Sequence, residues 1–113
     1  MNQNNNVENY GKIVDDVLLY INDDSNFMLS NQFLNKKIVS VFRDNELMST
    51  ADSFFKSNLN ISETSKNTFM HRNTLIYRIQ KIYKVTGLNI RTVKDAVTFI
   101  TLKSIYDKIR NSK

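Results

Sequence analysis

Cysteine is absent from this 113-residue chain, which excludes disulfides, thiol nucleophiles and thiolate metal sites. A single histidine leaves no set of imidazoles for a zinc site, so stability has to come from packing. Proline is also missing, and glycine occurs only at positions 11 and 87. The tight turns of a multi-stranded sheet are therefore poorly supplied, and helices are the favoured reading. No apolar run approaches the roughly 18 to 20 residues of a bilayer crossing. The opening Met1 to Asn6 has neither the positive start nor the apolar stretch of a signal peptide, so a cytoplasmic protein is expected. There is no glycine-rich phosphate loop, no nucleophile-elbow pattern and no carboxylate pair with a supporting base, which argues against an enzyme and against a cofactor.

What the chain does have is an ordinary apolar content and a lopsided charge. Hydrophobic residues make up 41% and charged residues 24%, enough for one folded core rather than a disordered chain. Residues 1–65 carry five Lys/Arg against nine Asp/Glu, whereas residues 66–113 carry eleven against two. Between Glu63 and Asp95 there is no acid, while Lys66, Arg72, Arg78, Lys81, Lys84, Arg91 and Lys94 all fall there. Such a segment either seeks an anionic partner or forms a solvated basic face.

Hydrophobic spacing divides the chain into helices. The asparagine-rich residues 1–6 have nothing to bury and read as a polar tail. Residues 7–30 read as an amphipathic helix with Tyr10, Ile13, Val14, Val17, Leu18 and Ile21 on one face, followed by a polar connection. Residues 31–113 form the main domain. There Phe33 or Leu34 shares a face with Ile38, Val41 and Phe42, and Leu47, Ala51, Phe54 and Phe55 repeat the pattern after Asp44 or Asn45, either of which suits an N-cap. Ser62 is placed to cap a short helix from about Glu63 to Phe69. Leu75, Ile79 and Ile82 then form one buried stripe of a longer helix that opens at His71 and stops near Thr86, because Gly87 suits a left-handed cap. The last helix follows Thr92, with Asp95 completing a near capping box. The fold class is all-α, a helix-turn-helix bundle of about five to six helices. Met48, Phe54, Phe55, Phe69 and Phe99 are assigned to the core by their spacing.

A short helix, a tight turn and a longer helix with a polar outer face is the arrangement that places its second helix in the major groove, N-terminus first. Arg72, Asn73 and Thr74 near that start suit base edges or phosphates, and Tyr77, Lys81 and Lys84 continue along the same side. His71 serves either as a helix cap or as a base contact, the cap being the stronger reading. Arg78, at the edge of the face, serves either a structural bond or a phosphate. Spacing by itself leaves open a plain helical oligomerisation or protein-docking module with a basic face, and RNA binding as a weaker third reading.

A resemblance narrows this choice. Glu46 to Thr50, Phe55 to Asn60, Thr64 to Lys66 and above all His71-Arg72-Asn73-Thr74-Leu75-Ile76-Tyr77-Arg78, with Thr86-Gly87-Leu88 after it, resemble the PucR-type C-terminal helix-turn-helix domain of purine-catabolism and sugar-diacid transcriptional regulators of bacteria. The similarity runs from about Leu34 to Ile109. It implies sequence-specific binding of double-stranded DNA through the helix beginning at His71, under control of an effector-sensing region on a longer parent chain. Two positions depart from the family pattern, Ser65 standing for Ala and Thr68 for Leu. The Ser65 hydroxyl is expected to bond a carbonyl one turn back, and Thr68 is expected to lose leucine burial worth about 1–2 kcal/mol unless Phe69 or Met70 fills the gap. In the last helix Val93, Val97, Ile100 and Ser104 form one stripe and Phe99, Leu102, Tyr106 and Ile109 another, one more than a single core requires. A homodimer through this helix or the one at Tyr10 to Ile21 is expected, since helix-turn-helix proteins commonly bind paired half-sites.

Overall fold

In the computed structural model the described residues are 34–111. They form five α-helices and no strand: α1 (Lys36–Phe42), α2 (Asn45–Lys56), α3 (Ile61–Thr68), α4 (Arg72–Thr86) and α5 (Val93–Asn111). The all-α expectation is met. The expected polar tail 1–6, the helix expected over 7–21 and Phe33 lie outside the described residues. Lys36–Phe99 make one compact unit, and the part of α5 from Ile100 belongs to a second.

Within Lys36–Phe99 the core is mainly apolar, with Thr50 and Thr64 also buried. Phe54, Phe99, Leu75, Ile79, Ile82 and Ile90 are fully buried, joined by Ile38, Val41 and Phe42 from α1 and by Leu47 and Ala51 from α2. The stripe expected from spacing in α4 is thus the buried one, with α1, α2 and α3 all packed against that helix. Phe99 sits at the centre of an aromatic cluster, edge-on to Phe42 at 5.3 Å and tilted against Phe55 at 5.9 Å. In the second unit, Lys103 pairs with Asp107 at 2.7 Å one turn on, and the Arg110 guanidinium lies 5.5 Å from the Tyr106 ring centre. Both contacts are local to one helix and add only tenths of a kcal/mol, on the order of 0.5.

With so little glycine, the turns of the described residues fall to residues that bear a Cβ. Asn58, Leu59 and Phe69 all adopt positive φ, at 59°, 60° and 58°. For an L-residue this conformation costs about 1 kcal/mol or more, so each needs local bonds to hold it. After α2, the Leu59 N–H donates to the Phe54 carbonyl at 3.0 Å and reverses the chain. This delivers Asn60 in extended conformation to the start of α3, where its side-chain oxygen accepts from the Glu63 N–H at 2.8 Å. The expected Ser62 cap is therefore corrected: Asn60 caps, the helix begins two residues earlier, and Ile61 joins the core. Ser62 is left exposed on the first turn.

The turn between α3 and α4 explains the two departures from the family pattern. The Ser65 hydroxyl donates forward to the Met70 carbonyl at 2.7 Å, not back one turn as expected. The Thr68 hydroxyl donates to the Thr64 carbonyl at 2.7 Å and accepts from the Met70 N–H at 3.2 Å. Both hydroxyls thus fasten the turn, which gives them a polar task in place of the burial an Ala and a Leu would supply. Phe69 does not fill the space left at Thr68, and its assignment to the core is also corrected. It ends α3 in the left-handed conformation with 95% of its surface exposed. Met48 and Phe55, also assigned to the core, are half-buried.

Two stability predictions follow from these backbone facts. Phe69→Asn keeps the left-handed turn with a residue that tolerates it and sacrifices no packing, so the melting temperature should rise, by an amount equivalent to about 1 kcal/mol. At the other end of α4, Gly87 caps with φ 79° and donates its N–H to the Tyr83 carbonyl at 2.8 Å. A Cβ there would meet nothing within 4 Å, yet the positive φ alone should make Gly87→Ala destabilising by about 1 kcal/mol in chemical denaturation.

Candidate nucleic-acid interface

The outer side of α4 is open along its length. His71, Arg72, Asn73, Thr74, Tyr77, Gln80, Lys81 and Lys84 are all exposed, with Tyr77 at 63%. No carboxylate lies on this helix, so its cations are not neutralised by acids of their own element. Lys66 on α3 and Arg91 and Lys94 around the start of α5 are exposed as well.

Each end of the helix is built by local bonds. His71 has extended backbone, and its Nδ1 accepts from the Asn73 N–H at 3.1 Å. It is therefore the N-cap, as the stronger sequence reading had it. A neutral imidazole that accepts at Nδ1 has its N–H donor at Nε2. Arg72, one residue on, donates from Nη1 to the exposed Ser62 hydroxyl at 3.3 Å. Asn73 and Thr74 follow on the first turn, beside the positive end of the helix dipole.

Arg78 is placed differently from the other predicted site residues. Its Nη1 donates to the Thr50 hydroxyl at 3.2 Å and its Nη2 to Glu46 Oε2 at 3.2 Å, with 24% of the side chain exposed. Thr50 itself is fully buried and donates to the Glu46 carbonyl at 2.8 Å. Of the two readings, the structural bond is the one present: Arg78 ties α4 to α2. The Glu46 carboxylate is 77% exposed, so the ion pair is worth little, and the bond to buried Thr50 is the stronger constraint.

Gln80, which helical spacing also turns outward, is exposed on the same stripe as Asn73 and Tyr77. Two exposed residues near this face escaped the sequence reading. Tyr83, half exposed, sits on the flank, where an aromatic is easily taken for core. Phe69 was hidden by the same habit, and the signal missed was the demand for a left-handed residue where no glycine stands.

After α4 the chain is held by a second hydrogen-bonded turn. Asn89 donates its N–H to Asp95 Oδ2 at 2.8 Å, and the Thr92 hydroxyl accepts from the Asp95 N–H at 3.3 Å. Thr92 and Asp95 thus cap α5, but Asp95 reaches back to Asn89 rather than to Thr92. Buried Ile90 pins this turn to the core, with Arg91 in the turn and Lys94 on the first turn of α5. Among the described residues no group of His, Asp and Glu could hold a metal ion, and no helix is long and apolar enough to cross a membrane.

An eight-residue helix, a turn fastened by two hydroxyls and a fifteen-residue helix with a buried inner stripe and an open outer face define a helix-turn-helix unit. Residues 47–100 match the model of the PucR C-terminal helix-turn-helix domain, so this segment is similar to that family. Curated relatives include the protein YsfB of Bacillus subtilis (strain 168), 34% identical over 68 residues that span 60% of this chain and 18% of the relative. The purine catabolism regulatory protein of the same organism is 35% identical over 60 residues, 53% of this chain and 11% of its own length. The carbohydrate diacid regulator of Escherichia coli (strain K12) is 41% identical over 49 residues, 43% of this chain and 13% of its own. The matching region is thus a fifth or less of each of these three relatives. No solved structure matches the chain.

Proposed function

We propose that this chain binds double-stranded DNA sequence-specifically, with α4 in the major groove, as the DNA-binding portion of a bacterial transcriptional regulator. The observation that carries the reading is the outer face of α4, open from His71 to Lys84, cationic and without a carboxylate. Arg72, Lys81 and Lys84 meet phosphates and supply affinity. Asn73, Thr74 and Tyr77 reach base edges, Asn73 being suited to the paired donor and acceptor of adenine. His71 offers its Nε2 proton to the groove while it caps the helix. Arg78 is a positioning residue that ties α4 to α2 through Thr50 and Glu46.

Names of the relatives support a regulatory role, and their greater length supports an effector-sensing region on a longer parent chain. Paired half-sites read by a homodimer, in the cytoplasm, complete the proposal. Binding of a random-sequence duplex should fall about a hundredfold between 50 and 200 mM salt if about four phosphates are neutralised. A salt-independent affinity would favour a protein-docking role for the same face. Sequences selected from a random duplex pool should show one preferred motif, and Asn73→Ala should flatten that preference at one base pair by about 1–3 kcal/mol while leaving the salt slope unchanged.

A further inference from the structure

We infer that Phe69 is a specificity-determining contact whose ring seats against the 5-methyl group of a thymine in the major groove. The inference rests on the DNA-binding reading and deepens it, because the face of α4 offers side chains that are polar or cationic and no wholly apolar one. Phe69 supplies that missing chemistry from the turn that precedes the helix.

The ring is 95% exposed, the most exposed of the large hydrophobic side chains described. Its backbone stands at φ 58° and ψ 18°, a conformation that glycine or asparagine adopts more readily than any aromatic residue. Bonds on either side keep it there: the Ser65 hydroxyl to the Met70 carbonyl at 2.7 Å, and the Met70 N–H to the Thr68 hydroxyl at 3.2 Å. An aromatic ring in water and a left-handed backbone both disfavour the isolated domain, and neither is repaid by a contact within it. The Cα–Cβ direction of Phe69 is nevertheless fixed, since the backbone that carries it is fastened.

Charge around the ring identifies the occupant. Lys66 and Arg72 stand three residues before and after Phe69, and both are exposed. A purely apolar protein surface closing over the ring would desolvate two cations without a counter-charge, which is unfavourable. Duplex DNA presents the complementary pattern, an apolar thymine methyl between lines of phosphates. The position is also suitable, because the turn leads directly into the end of α4 that enters the groove first.

Deoxyuridine differs from thymidine only by the 5-methyl group and gives a direct test on the full chain. Affinity is measured for the duplex selected from a random pool and for duplexes in which each thymine in turn is replaced by deoxyuridine. The wild type should lose about fourfold at one thymine, the worth of one buried methyl group. Phe69→Asn, which keeps the turn, should lose a similar factor on the unmodified duplex and become indifferent to deoxyuridine at that position. Phe69→Leu, which restores an apolar side chain, should recover part of the sensitivity. A selected site without thymine, no sensitive thymine in the wild type, or sensitivity retained in Phe69→Asn overturns the inference while leaving DNA binding in place. A dimer that dissociates in Phe69→Asn with thymine sensitivity intact assigns the ring to a second copy instead. Failure of the wild type to bind any duplex overturns the DNA-binding reading and this inference together.

Discussion

Arg72→Ala combined with Lys81→Ala is expected to bind every duplex about a hundredfold more weakly at low salt, at roughly 1.5 kcal/mol for each charge-assisted bond to phosphate. Both residues are exposed on the outer side of the helix-turn-helix unit, and neither supports the core. The melting temperature should therefore stay within a degree or two of wild type, since exposed substitutions away from caps and packing change stability by about 0.5 kcal/mol at most. Arg72 does give up its bond to the Ser62 hydroxyl, but a 3.3 Å contact between exposed groups contributes little. The slope of log affinity against log salt should fall by about two, one for each lost phosphate contact. Loss of affinity with an unchanged slope would place these cations away from the backbone of the duplex. Titration by fluorescence anisotropy at several salt concentrations reads both quantities.

Phe99→Ala is expected to have the opposite profile, with stability lost and charge untouched. The ring is fully buried and touches Phe42 and Phe55 in one aromatic cluster, so its removal leaves a cavity that the helices cannot close. A cost of about 3–5 kcal/mol is typical of such truncations. A compact unit of this size has a total stability of only about 5 kcal/mol. Much of the protein should then be unfolded at 37 °C, with helical circular dichroism reduced and DNA binding weakened at all salt concentrations alike. Phe99→Leu, which keeps most of the volume, should restore most of the signal.

Core and helices were legible in the sequence because burial follows a period that spacing reveals. Leu75, Ile79 and Ile82 were assigned to one stripe and are buried together, and Gly87 was read as the left-handed cap that it is. The turns were less legible, since their geometry is decided by which residue tolerates a positive φ when no glycine is at hand. That is why α3 is capped by Asn60 rather than Ser62, and why Phe69 stands in solvent instead of the core. Thr68 reads as a loss of apolar burial and Ser65 as a serine bonded one turn back, yet both hydroxyls fasten the turn. At the candidate interface, His71 was readable as a cap from its place before the helix. Arg78 was not readable beyond two alternatives, because its partner Glu46 lies 32 residues away and only the packing of α4 on α2 brings them together.

The proposal depends on which groove α4 occupies, and methylation interference decides it. Guanine N7 lines the major groove and adenine N3 the minor groove, so a lightly methylated duplex bearing the selected site separates the two in one experiment. The proposed mode of binding predicts that methyl groups at guanine N7 block binding at positions within each half-site, and that those at adenine N3 there do not. Interference confined to adenine N3, or none at either position, would contradict it.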